Sequence, residues 1–166
     1  MIASVQLAFV FDAHAATLIL FARQWLDRAA AEDVVQDVFV SLMSQRRSPD
    51  NPRAWLYKAV RNAAISHARS ASRRSKREMR LAEQRTEFFE SGADDLIDAS
   101  AAQEAMESLP QEQREVIVMR LWAQMTLAEI AEVTGEAVST LFSRYRSGLL
   151  EIKRIMESSC PTKKKI

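Results

Sequence analysis

Glycine and proline are scarce: the 166 residues contain three glycines and four prolines. A sheet of many strands needs such residues at most of its tight turns. Alanine, leucine, glutamate, glutamine and arginine recur instead, and all favour helix. The chain is therefore expected to be all-α. At 48% hydrophobic and 27% charged residues its composition is globular. Its length admits one ordinary domain or two small ones, at ~100–200 residues per domain.

Several functional classes drop out at once. The richest apolar stretch, Ala15 to Ala22, ends at Arg23, well short of the ~20 residues a membrane-spanning helix requires. No basic flank precedes an apolar segment at the N-terminus, so no secretory signal is expected. One cysteine, Cys160, with His14 and His67, makes neither an internal disulfide nor a zinc spacing, and a reducing cytoplasm is the expected home. Gly92, Gly135 and Gly148 stand alone, so no glycine-rich phosphate loop is present. No metal, cofactor or catalytic residue is expected, and hence no enzyme.

Periodicity divides the rest. Leu7, Val10 or Phe11, His14 or Ala15, Leu18, Phe21 and Trp25 mark the apolar face of a first helix, from about Val5 to Trp25. Asp27 is the expected N-cap of a second, with Glu32 and Asp33 in its opening turn. There Val34, Val35, Val38, Phe39 and Leu42 form the buried stripe, and Glu32, Asp33, Gln36 and Asp37 an acidic outer face. A turn, Gln45 to Pro52, leads into a third helix starting near Pro52. Trp55, Leu56, Ala59, Val60, Ala63 and Ile65 face inward in it, and Arg53, Lys58, Arg61, Asn62, Ser66 and Arg69 outward. Leu81 to about Ala102 reads as an acidic linker. Beyond Gln103, Leu109-Pro110-Gln111-Glu112 opens a helix with Pro110 at its first position, and Thr126 with Glu129 makes a capping box. Gly135 ends that short helix, and a long one runs from about Ala137 to Met156.

The charge is nearly balanced overall but not locally. Arg53 to Arg80 holds nine bases and one acid, whereas Leu81 to Glu107 holds eight acids and one base. Opposed blocks suggest separate surfaces for separate partners. A run of arginines is often only a solvated face. It can also neutralise phosphates, giving salt-sensitive binding to nucleic acid.

The last two helices form a helix-turn-helix pattern. At roughly 100° per residue, Leu141, Tyr145, Leu149, Ile152 and Met156 align with Val138 as an inward stripe. Ser139, Ser143 and Arg146 lie away from it, with Thr140, Arg144 and Ser147 beside them. Small hydroxyls permit close approach to a major groove, and arginine contacts phosphate or guanine. Any amphipathic helix also has a polar back, and this segment alone does not separate the two readings.

Longer motifs carry a family resemblance. Ala31-Glu32-Asp33-Val34-Val35-Gln36-Asp37-Val38-Phe39, followed by Asn51-Pro52-Arg53-Ala54-Trp55-Leu56-Tyr57-Lys58-Ala59-Val60-Arg61-Asn62-Ala63-Ala64, resembles region two of bacterial sigma factors. Ser108 to Val116, Thr126 to Glu132 and Ser139 to Arg144 resemble region four. Two regions joined by a short linker is the layout of the extracytoplasmic-function sigma factors. The resemblance implies region two at 1–75, a linker at 76–102, region four at 103–157 and a flexible tail at 158–166.

It further implies a factor that binds core RNA polymerase, through the β′ clamp and the β subunit, and directs promoter-specific initiation. Glu32, Asp33, Gln36 and Asp37 would dock on the clamp. Asp50, Asn51, Arg53, Arg61 and Asn62 would read and melt the minus-ten element, with Arg69, Arg73 and Arg74 on the backbone. Ser139, Thr140, Ser143, Arg144 and Arg146 would read the minus-thirty-five element. An anti-sigma protein is an expected partner, and no membrane insertion is expected. Trp55 reads as core and His67 as a surface helix residue. Phe142 and Ser147-Gly148 depart from the family pattern. The rival readings are a free-standing helix-turn-helix regulator, which would dimerise on half-sites, and a helical adaptor that does not touch DNA.

Overall fold

The computed structural model describes residues 4–75, 88 and 96–159, all helix and connecting turns. Three helices come first: α1 (Ser4–Ala22), α2 (Arg28–Met43) and α3 (Pro52–Ser75). Each packs on the other two. Four follow: α4 (Leu96–Ser108), α5 (Gln111–Leu121), α6 (Leu127–Thr134) and α7 (Val138–Ser159). Here α7 is the hub, touching α4, α5 and α6. The two groups meet where α3 lies against α6 and α1 against α5.

Local chemistry accounts for the helix boundaries. Asp27 caps α2, its Oδ1 accepting from the Ala30 N–H at 2.8 Å. The first turn of α2 contains no acid, contrary to the sequence expectation, because the helix begins one residue after its cap and Glu32 falls in the second turn. There it pairs with Arg28 at 2.9 Å. Asn51 caps α3 by accepting from the Ala54 N–H at 3.1 Å. Pro110 proves to be the N-cap of α5 rather than its first residue. α6 has the complete capping box, and Gly135 closes it in the left-handed region at φ 75°. α4 begins at Leu96, inside the stretch read as linker. The basic residues Lys76, Arg77 and Arg80 and most of the acidic run lie outside the described residues.

In the first group the hydrophobic core contains Leu18, Phe21, Val35, Leu42, Leu56, Tyr57 and Val60, all essentially inaccessible to solvent. Tyr57 is the surprise among them. The helical periodicity placed it on neither face of α3, and here it is sealed, its ring tilted against Phe21 at 5.2 Å. A tilted ring contact of this kind adds ~1 kcal/mol to what burial itself contributes. The same hydrophobic cluster continues into the second group, where Ile117, Met119, Met125, Ile130 and Leu141 are sealed. Val138 is an exception to the expected α7 stripe: at 47% exposed it stands at the helix start, before α7 reaches its neighbours.

Two features hold the second group together. Arg114 donates to the carbonyls of Met106, Glu107 and Leu109 at 2.8–2.9 Å, tying α5 to the end of α4 and the turn that follows it. Gly148 is buried on α7, and a Cβ placed there would stand 2.5 Å from Ile117 Cδ1. The glycine therefore sets the close approach of α5 and α7. Alanine gains ~1 kcal/mol in helix propensity, but overpacking a sealed core costs ~1–3 kcal/mol. Gly148→Ala should lower stability by about 1 kcal/mol net in urea unfolding; a stabilised variant would show that Ile117 has room to turn aside.

Candidate nucleic-acid interface

The acidic face of α2 is solvent-facing. Asp33, Gln36 and Asp37 are exposed, and Glu32 is partly covered by its pair with Arg28. Below them the same face turns apolar, with Val40 60% and Met43 49% exposed. Sequence reasoning missed these two because it sought only the buried stripe. Their signal was present, since they share the helical side of Gln36 and Asp37 rather than that of Leu42. The surface thus combines charges that steer a basic partner with apolar area that a partner can bury.

α3 carries the basic surface. Asn62, Arg69 and Arg73 lie within about 40° of one another on the helical wheel, and with Arg74 and Asp50 they are exposed. Three other candidates are engaged. Arg53 Nη2 donates to Glu129 Oε1 at 2.5 Å, and Asn51 Nδ2 donates to the same oxygen at 3.3 Å. Arg61 grips Glu115 through Nε and through Nη2, the latter at 3.4 Å. Both carboxylates come from the second helical group, so the structure divides a set of residues that the sequence treated as one free surface. A further bond between the groups joins Gln111 to Gln24 at 3.1 Å.

Glu129 uses its two oxygens differently. Oε2 accepts from the Thr126 N–H at 2.8 Å and completes the α6 capping box. Oε1 serves Arg53 and Asn51. Burial by itself would raise the Glu129 pKa, but Arg53, the Thr126 backbone, Asn51 and the Thr126 hydroxyl draw it down to about 2. Glu115 is 5% exposed; burial raises its pKa, with Arg61 and Arg144 opposing and Glu112 assisting. Neither glutamate was singled out for this role in the sequence, where Glu129 read only as a cap.

On α7, Ser139, Ser143 and Arg146 are exposed, and Thr140 and Arg144 half-buried. Arg144 is drawn toward Glu136 at 3.3 Å, which leaves Arg146 as the freer guanidinium. Phe142 is 53% exposed on the same outward side. Phe88, beyond α3, is buried and tilted over Trp122 at 6.4 Å, and its N–H donates to Gln103 Oε1 at 2.8 Å. Among the described residues no cluster of metal-binding side chains occurs, and no helix is long and apolar enough to cross a membrane.

The lowered Glu129 pKa has a consequence for acid stability. A carboxyl depressed on folding contributes stability above its unfolded value and loses it as pH falls through the folded one. For Glu129 that window runs from the ordinary 4.5 down to about 2. Glu115, shifted upward, works in the opposite sense. The acid limb of a stability–pH curve should therefore be shallower in Glu129→Gln than in the parent across this window; equal limbs would remove the pair from the balance.

Comparisons with known proteins agree in kind. Residues 10–74 match the family model for sigma-70 region 2, and residues 99–152 that for sigma-70 region 4. The chain is 31% identical over 130 residues to the RNA polymerase sigma factor SigV of Bacillus subtilis, spanning 75% of this chain and 74% of that protein. It is 24% identical over 164 residues to the ECF RNA polymerase sigma factor SigK of Mycobacterium ulcerans, spanning 90% and 86%. Among solved structures it resembles the sigma factor RpoE in complex with the anti-sigma factor NepR from Bartonella quintana. The TM-score is 0.66 at 20% identity, covering 90% of this chain and 97% of that one. It also resembles CnrH in complex with the cytosolic domain of CnrY, with TM-score 0.64 at 22% identity, covering 93% and 90%.

Proposed function

The chain belongs to the sigma-70 family, in the extracytoplasmic-function group that pairs region two with region four, and from that premise we propose how its surfaces divide the work. As a sigma factor it binds core RNA polymerase and directs initiation at particular promoters. The exposed face of α2 is the polymerase-docking surface: Glu32, Asp33, Gln36 and Asp37 steer it onto a basic partner, and Val40 and Met43 are buried on arrival. The single observation that supports this is the continuous outward strip of acids and apolar residues on a helix whose other face is fully packed.

Asp50, Asn51, Arg53, Arg61 and Asn62 capture the opened minus-ten strand, and Arg69, Arg73 and Arg74 hold its backbone. Strand separation is favoured when unstacked bases and their phosphates gain a basic surface. Ser139, Thr140, Ser143, Arg144 and Arg146 read the minus-thirty-five element from the major groove. The working division is region two at 1–75, a linker at 76–102, region four at 103–157 and a tail at 158–166. The protein works in the cytoplasm, where polymerase and promoter are. It carries out no catalysis of its own, and an anti-sigma protein holds it in reserve. The complex of the RpoE neighbour with NepR supports that last assignment.

Transcription with purified core enzyme tests the whole reading, since only a sigma factor gives specific initiation there. Asp37→Lys should weaken core binding about three- to tenfold, mostly through a slower, salt-sensitive association rate; unchanged binding would place docking elsewhere. Arg146→Ala should cost ~1–3 kcal/mol of promoter binding and flatten discrimination at one position of the upstream element. An equal loss on random DNA would make Arg146 a phosphate contact only.

A further inference from the structure

From Val138 to Arg146 the solvent-facing side of α7 carries Ser139, Ser143 and Arg146, and among them two apolar side chains stand in the open. Val138 is 47% and Phe142 53% exposed. Phe142 is the larger, and polar groups border it: Ser139 one turn before, Ser143 beside it and Arg146 one turn after. On the helical wheel Phe142 and Arg146 lie about 40° apart, so both reach toward the same groove. A phenyl ring has neither donor nor acceptor. Laid over the edge of guanine, adenine or cytosine it covers polar atoms and leaves them without a partner, which is costly. Thymine differs, because its C5-methyl group is an apolar feature in the major groove. Stacking on a base face is not available in a paired duplex, so the ring is left with an edge contact. With hydroxyls and a guanidinium around it, this small apolar ridge offers a protein partner little area to bury, whereas one methyl group fills it.

We infer that Phe142 is a specificity-determining residue, its ring covering the C5-methyl group of a thymine in the upstream promoter element. The inference rests on the minus-thirty-five assignment proposed above. Four residues of helix rise about 6 Å, and base pairs are spaced about 3.4 Å apart. The thymine therefore lies one or two base pairs from the pair that Arg146 contacts. Serine and threonine hydroxyls donate or accept and so discriminate weakly among bases. Ser139, Thr140 and Ser143 let the helix come close, while Phe142 and Arg146 choose the sequence. Phe142 departs from the family pattern, so the base it selects belongs to this chain's own promoters.

The test uses holoenzyme assembled from purified core polymerase and the full chain. The probe is a promoter duplex from a mapped start site, randomised across its upstream element and selected by binding. Holoenzyme with the parent chain should enrich a thymine, on either strand, one or two base pairs from the position that Arg146→Ala ceases to select. Replacing that thymine by deoxyuridine removes only the methyl group and should weaken binding about fourfold. Phe142→Ala should enrich no base at that position and bind the thymine and deoxyuridine duplexes equally. The side chain is exposed, so circular dichroism should show the helix content retained. Absence of a selected thymine in the parent, or the same deoxyuridine penalty in Phe142→Ala, overturns the inference. If Arg146→Ala still loses its position, the minus-thirty-five assignment survives that failure; if neither variant alters the selected sequence, the assignment falls as well. Weaker binding of Phe142→Ala to core enzyme without DNA, with the thymine preference intact, also overturns the inference and makes Phe142 a protein contact.

Discussion

One carboxylate ties the local structure of this protein to its overall arrangement. Glu129 lends one oxygen to the start of α6 and the other to Arg53 and Asn51 on the opposite half of the molecule. The same residue that lets a short helix form in the helix-turn-helix unit also orients that unit on α3. Asn51 mirrors it, since its carbonyl caps α3 while its amide reaches across. Two caps facing each other connect two helix starts across the halves.

The second crossing point has a different physical character. Glu115 is nearly sealed, and an ionised carboxylate in that position is costly unless charged hydrogen bonds compensate it. Arg61 supplies them. Such a pair gives orientation more than net stability, because desolvating both partners offsets much of their attraction. The outward face of α2 takes no part in either contact.

Much of this was legible in the residue order. The buried stripe of α2, its Asp27 cap, the capping box of α6 and the Gly135 stop all follow from neighbours within a turn or two, and the sequence motifs of both sigma regions are equally local. Misreadings occurred where a side chain's surroundings come from elsewhere. Tyr57 fell on neither face read for α3, because its burial depends on Phe21 from α1. Val138 has an apolar side chain in register with the inward stripe, yet it precedes the point where α7 gains neighbours. Gly148, where the chain departs from the family pattern, is the contact that admits Ile117.

The sequence by itself determined the helices, their caps, the two regions and the charge of each face, because a period of 3.6 and hydrogen bonds spanning three or four residues are encoded locally. Only the tertiary structure decided which of the charged groups meet. Arg53 and Glu129 are 76 residues apart, and Arg61 and Glu115 are 54 apart. No periodicity reaches that far. An arginine written into a basic helix looks the same in the sequence whether it faces water, a phosphate or a glutamate from the other half of its own chain.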